Sequence, residues 1–282
     1  MSGRATTGPL AAQPARPRPL SALPRHPTIR GVFFDIDDTF TTEGLLQPEA
    51  LAALHAWHAS GRLAVAVTGR PAGWCDHIAR MWPVDAVVGE NGAFWFRYDR
   101  SAHRMRRRFM QDAATLAAHR NRFAALAAQV QAAVPGVAVS ADQAYRICDL
   151  AIDFAEDVVT DGLATADRVA TILRAAGMHV KISSIHVNAW FGEHDKRTTA
   201  SKMAQEEFGI SESALAAEHV YLGDSPNDAP MFGFFERSVG VANVLDYNGR
   251  IDPMPAYVCD HRAAAGFAQA LMQILAPSTT EA

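Results

Sequence analysis

Short apolar runs alternate with amphipathic stretches of helix length in the first third of the chain. "GVFFDI" at 31–36 is apolar up to its aspartate and rich in β-branched and aromatic residues, which predicts a buried strand. "QPEALAALHAWHAS" at 47–60 predicts a helix, with Pro48 in its first turn and Gly61 closing it. "RLAVAVTGR" at 62–70 predicts a second buried strand, breaking at Gly69. "PAGWCDHIARMW" at 71–82 predicts a helix that again opens on proline, and "VDAVVGENGA" at 84–93 a third short strand. Strand, helix, strand, helix, strand in this order predicts a parallel sheet with helices on its faces.

The rhythm changes after residue 93. "AFWFRYDRSAHRMRRRFM" at 93–110 has the pattern of a hairpin, and 111–133 that of a long Ala-rich helix stopped by Pro135 and Gly136. Strands are expected in 136–142 and 145–154, a helix over 163–176, and two strands in 178–184 and 185–191. The first pattern then resumes, with a helix at 196–209, a strand at 219–225, a helix from 226, a strand at 238–243 and a closing helix at 262–275. The expected fold is therefore a Rossmann-like α/β parallel-sheet core, 29–93 and 192–282, carrying an inserted α+β domain at 94–191. Residues 1–28 are rich in Pro, Ala and Arg and lack periodicity, which predicts a mobile tail. An amphipathic targeting peptide is the alternative, and the prolines disfavour it.

Composition narrows the class. A chain of 282 residues, 49% hydrophobic and 20% charged, is ordinary for a globular protein with ample core. The formal charge, 26 − 30 = −4, supplies no basic field for nucleic acid. No apolar run approaches the roughly 20 residues of a membrane span. Cys75, Cys148 and Cys259 are odd in number and far apart, so a disulfide framework is not expected and a reducing cytoplasm is the simplest setting.

Candidate chemistry gathers at predicted strand ends, where open parallel sheets bind ligands. Asp35 and Asp37 follow the first strand, Thr68, Gly69 and Arg70 the second, and Gly223, Asp224, Asn227 and Asp228 a late one; Lys196 opens the helix after the insertion. Any one of these is an ordinary turn or cap residue. "DIDDT" at 35–39, "VTGR" at 67–70, Lys196 in "DKRTTASK" and "GDSPND" at 223–228 together resemble motifs one to four of the haloacid dehalogenase (HAD) superfamily, in order and spacing. The insertion between motifs two and three has the position of a C2 cap, and "ENGA" at 90–93 resembles the loop that opens it in type IIB, Cof-like members.

The resemblance implies a Mg²⁺-dependent phosphatase acting on a small phosphorylated metabolite, with sugar phosphates the leading class. Asp35 would be the nucleophile and Asp37 the acid/base. Thr68, Gly69 and Lys196 would bind the phosphoryl group. Asp35, Asp224 and the Asp37 carbonyl would hold the metal, with Asp228 beside or among them. The chemistry is coherent: a phosphomonoester carries about two negative charges, and a hard, oxygen-seeking cation lets a carboxylate approach it. Sugar phosphotransfer, as in phosphomutases, and non-catalytic binding on the same fold are the other readings. Asp38 stands where many members have glycine, and a place in the 39–44 loop or at a helix terminus is expected for it. Arg106, Arg107 and Arg108 belong to an arginine-rich stretch that is either a solvated hairpin face or a patch for an anionic leaving group. Trp190 is either packing or a wall of the cleft. His186 and His194 lack companions at metal-ligand spacing.

Overall fold

The computed structural model describes residues 16–23, 29–247 and 249–276. Its strands are β1 (Arg18–Pro19), β2 (Gly31–Phe34), β3 (Thr41–Thr42), β4 (Leu45–Leu46), β5 (Leu63–Val67), β6 (Ala86–Gly89), β7 (Phe94–Asp99), β8 (Arg104–Phe109), β9 (Ala138–Val139), β10 (Asp149–Asp153), β11 (His179–Ile182), β12 (His186–Trp190), β13 (His219–Gly223), β14 (Arg237–Gly240) and β15 (Tyr257–Val258). The helices are α1 (Pro48–Ala59), α2 (Ala72–Met81), α3 (Ala113–Ala133), α4 (Leu163–Ala175), α5 (Lys196–Phe208), α6 (Glu212–Glu218), α7 (Ala229–Phe234) and α8 (Ala263–Leu275).

Nine strands form one sheet in the order β1-β15-β14-β13-β2-β5-β6-β7-β8. All neighbours up to β6 are parallel; β7 and β8 run antiparallel. Side chains alternate across a strand. Val32 and Phe34 of β2 therefore join the core under α1, α2 and α8, while Phe33 joins the core under α5, α6 and α7. A sheet covered on both faces requires unbroken apolar strands, and "GVFF" and "AVV" are the result. The chain leaves β2 toward β5 on one side and returns to it through β13 on the other. The crevice where strand order reverses thus opens at the end of β2.

A second, antiparallel sheet has the order β11-β12-β10-β9. Leu150, Ile152, Val187 and Ala189 turn one face into the core under α3 and α4. Alternation places Asp149, His186, Asn188 and Trp190 on the other face.

Three expectations need correction. Residues 94–109 do not begin the inserted domain. β7 pairs with β6 through Val87↔Phe96, Val88↔Trp95 and Gly89↔Phe94, and buries those aromatic rings in the two cores of the large sheet. The insertion leaves the core at Met110–Gln111 and returns near Gly192, where Gln111 Nε2 donates to Phe191 O at 3.0 Å. Second, residues 18–23, predicted as tail, are docked. β1 pairs with β15, Leu20 and Leu23 are buried, and Arg18 donates to the Tyr257 hydroxyl while its guanidinium lies over that ring. The rest of the predicted tail, 1–15 and 24–28, lies outside the described residues. Third, the strand expected over 145–154 is only Asp149–Asp153, because the amides of Ile147 and Cys148 are taken by the Glu90 carboxylate instead of a ladder.

Candidate active site

Asp35 continues β2, its amide donating to Leu222 O of β13 at 2.9 Å. Asp224 and Asp228 follow β13. Lys196 is the first residue of α5, whose N-cap Asp195 accepts from the Thr198 amide. Its Nζ lies 2.8 Å from Asp35 Oδ1 and 2.7 Å from Asp228 Oδ1. Asp35, Asp224 and Asp228 offer carboxylate oxygens within 4.8 Å of one another, and all three are buried. Three carboxylates thus share one ammonium.

The electrostatics follow from that imbalance. Burial pushes Asp35 up to about 8, aided by Asp228 and Asp37 and opposed by Lys196. Burial, with Asp228 and Asp35, holds Asp224 well above the usual carboxylate range. Burial works against the Lys196 charge too, but Asp228 and Asp35 outweigh it and raise that group. A buried site with surplus negative charge and only oxygen donors fits a hard divalent cation.

The oxygens are not equivalent. Asp228 Oδ1 accepts from Lys196 and from the Tyr221 hydroxyl at 2.6 Å, and its Oδ2 accepts from the amides of Asp224 and Ser225. It is occupied in orienting its neighbours. Asp224 is bonded more sparsely, by Thr39 Oγ1 at 3.3 Å and Asn243 Nδ2 at 3.0 Å. Asp35 Oδ2 accepts no hydrogen bond from the described residues. Asp35 and Asp224 are therefore the better-placed ligands for a cation.

Thr68 is fully buried; its amide donates to Val88 O, and its Oγ1 accepts from the Arg70 amide at 3.0 Å. Gly69 leaves little room for a side chain, since a Cβ would lie 3.1 Å from Asn91 Nδ2 and 3.5 Å from Asn188 Oδ1. Both polar atoms of the Asn91 amide are buried without a partner in the structure. Unmet buried polarity beside the glycine fits a polar ligand.

Asp37 is gripped by Arg70, whose Nε lies 2.9 and 3.0 Å from its two oxygens and whose Nη2 lies 2.8 Å from Oδ1. Nη2 also reaches Glu156 Oε1, in the insertion, at 2.8 Å. Asp38 takes a left-handed φ of 52°, which explains the glycine common at this position, and its Oδ1 accepts from the Glu43 amide. Its place in the loop is as expected.

The outlying candidates fare differently. Arg106, Arg107 and Arg108 lie on the outer strand β8, facing Glu207, Asp76 and Glu206 of the core at 3.2, 2.6 and 3.8 Å. They lie on a strand of the large sheet, and about half of each side chain is exposed. Trp190 is buried, donates to His194 O at 3.1 Å, and walls a cavity of about 430 Å³ that also includes Lys181, His194 and Asp195. Arg70, Asn91, Asn188, Glu156 and Asn243 have no assigned role in the sequence reading. For Asn91 a signal exists in retrospect: it stands in "GENGA", directly after an apolar strand.

No family model and no curated protein matches the sequence. Solved structures do match the fold. Protein 0175 of Thermoplasma acidophilum aligns at a TM-score of 0.65 and 17% identity, covering 87% of this chain and 98% of that one. The sucrose-phosphatase of Synechocystis sp. PCC6803, solved with sucrose and phosphate, aligns at 0.59 and 16%, covering 87% and 98%. The HAD subclass IIB sugar phosphatase BT4131 aligns at 0.58 and 15%, covering 86% and 98%. The chain shares the fold of these structures, which include a HAD subclass IIB sugar phosphatase and a sucrose-phosphatase.

Proposed function

We propose that the protein hydrolyses a small phosphomonoester, a sugar phosphate in the leading case, through an aspartyl-phosphate on Asp35. The observation that carries this reading is the pair of contacts from Lys196 Nζ to Asp35 and Asp228, with Asp224 alongside. These groups come from segments up to 193 residues apart in sequence and meet where strand order reverses.

The chain's own residues supply most of the reaction. Lys196 fixes Asp35 Oδ1, leaving Oδ2 to attack phosphorus. The bond from phosphorus to the leaving oxygen breaks, and Asp37 in its acid form passes a proton to that oxygen. The resulting carboxylate then takes a proton from water, whose oxygen attacks phosphorus and releases phosphate and Asp35. The Thr68 hydroxyl, the Gly69 amide and Lys196 are suited to the charge spreading over the phosphoryl oxygens. Mg²⁺ held by Asp35 and Asp224 would offset the charge of phosphate and carboxylates when bound. Arg70 holds Asp37 in place.

The test is phosphate release from a panel of phosphomonoesters with Mg²⁺, with and without EDTA. Turnover of at least one ester, lost in EDTA and lost in Asp35→Asn, is the expected result. Near wild-type turnover in either condition would overturn the mechanism.

A further inference from the structure

A cavity of about 500 Å³ opens beside Asp37, between the β3–β4 hairpin and α2. Its volume falls within the range that holds small ligands. Asp37 and Arg70 form its polar end; Trp74, Trp82, Leu46 and Tyr145 are among its walls.

The aromatic residues of the chain show how unusual those walls are. Trp57, Trp95 and Trp190 are buried and Trp82 is half-buried; Trp74 alone among the five tryptophans is exposed, at 43%. Tyr145, at 59%, is the one exposed tyrosine of five, and no phenylalanine is exposed. The two exposed rings of these types thus line the same cavity, although they come from α2 and from the 3-10 turn Ala141–Tyr145 of the insertion. Their approach depends on a glycine. A Cβ on Gly73 would lie 3.0 Å from Tyr145 Cβ, so a larger residue there would make the tyrosine give way by a few tenths of an ångström. Leu45 and Leu46, at the end of the hairpin, add further exposed apolar surface.

Charge restricts the ligand. Arg70 is the only arginine or lysine lining the cavity, and it is taken up by Asp37 and Glu156. Among the described lining residues the His77 imidazole is the one other basic group, so no arginine or lysine is spare for a second anionic group.

We propose that this cavity seats the leaving group of the phosphoester, and that the leaving group is an uncharged alcohol with a flat apolar ring face, packed on Tyr145 and on the face of Trp74 opposite the Arg70 guanidinium, which lies 4.4 Å from that ring's centroid. The proposal rests on the phosphatase reading, because it is Asp37, the donor to the leaving oxygen, that ties the cavity to the reaction. Both the face of a sugar ring and an aryl ring have the required chemistry.

Three probes separate the possibilities: 1-naphthyl phosphate, a hexose 6-phosphate, and acetyl phosphate, which has no ring. In Trp74→Ala and in Tyr145→Ala, kcat/KM for a ring ester relative to acetyl phosphate should fall about tenfold, mainly through KM. Trp74→Phe should recover most of the loss. A fall confined to the naphthyl ester identifies an aryl site, and a fall with the hexose ester a sugar site. An unchanged ratio for both ring esters overturns the proposal.

A second measurement needs no turnover. Calorimetric titration of Asp35→Asn with 1-naphthol and with the free hexose should show saturable binding of at least one, weakened about tenfold when Trp74→Ala is added. If wild type turns over no ester, the phosphatase reading fails while this titration still decides the cavity. Binding of neither alcohol, or binding indifferent to Trp74, overturns the cavity proposal even where turnover is intact.

Discussion

Two clusters of like charge lie on the same nine-stranded sheet. At the ends of β2 and β13, Asp35, Asp224 and Asp228 are buried together, and one ammonium pairs with Asp35 and Asp228. On β8, Arg106, Arg107 and Arg108 keep about half of each side chain in water, and each faces a carboxylate. Read along the chain, the arginines are the denser run. Their pairs are each worth about 0 to 1 kcal/mol, because water screens them and long side chains must be ordered. A buried surplus of charge costs several kcal/mol unless a counter-ion arrives. Burial without neutralisation marks a site, and local charge density alone does not.

The sharpest way to break this contrast is at the nucleophile. Asp35→Asn keeps the shape and removes the attacking charge, so turnover should fall about a thousandfold or more while circular dichroism stays that of the folded chain. Retained turnover would make the buried cluster as inert as the arginines.

Next is the missing counter-charge. Saturating Mg²⁺ should raise the melting temperature by about 5 to 10 °C, since a ligand at a hundred times its Kd stabilises by about 2.7 kcal/mol. Asp224→Ala should abolish that shift along with activity. A melting curve indifferent to Mg²⁺ would remove the cation from the account.

His194 lies between the two extremes, buried with neither ring nitrogen hydrogen-bonded. Burial, with His179 and His119 adding and Asp195 and Glu193 opposing, pushes it down from 6.5 to about 4. Between those values the unfolded chain binds the extra proton. Stability is therefore fully present above pH 6.5 and declines as pH falls toward 4, by up to about 3 kcal/mol. His194→Phe, which keeps a ring against Trp190, should flatten this slope in urea melts run across the window. An unchanged slope would assign the acid sensitivity elsewhere.

The smallest effect belongs to the arginines. Arg106→Ala, Arg107→Ala and Arg108→Ala combined should change kcat/KM by less than about twofold on charged and uncharged esters alike, as expected for screened pairs remote from the chemistry. A selective loss on an anionic ester would restore them as a recognition patch.

Much of the core is legible in the sequence because a sheet covered on both faces demands unbroken apolar strands, and each strand end then exposes its polar residues in order. Asp35, Thr68 and Asp224 stand at such ends, and Lys196, at a helix start, is singled out by the resemblance of its motif. What escapes is whatever depends on pairing between distant segments. "FWFRYD" reads equally well as a strand of either sheet until β6 is seen beside it. The strand signal in "YRICDL" is cancelled by Glu90, whose oxygens capture the amides of Ile147, Cys148 and Asp149. Arg70 and Glu156 are 86 residues apart, and nothing local joins them.

Among the described residues a sheet of nine strands also has two borders with no strand beyond them, and such borders invite a strand from another molecule. Here one border is β1, two residues long and half proline, whose ring nitrogen has no hydrogen to offer. The other is β8, where Arg104, Arg106, Arg107 and Arg108 stand on a single six-residue strand. A second copy docking edge to edge on β8 would set arginine against arginine along its length and strip their water. Charged side chains on an edge strand are one of the ways in which such pairing is disfavoured.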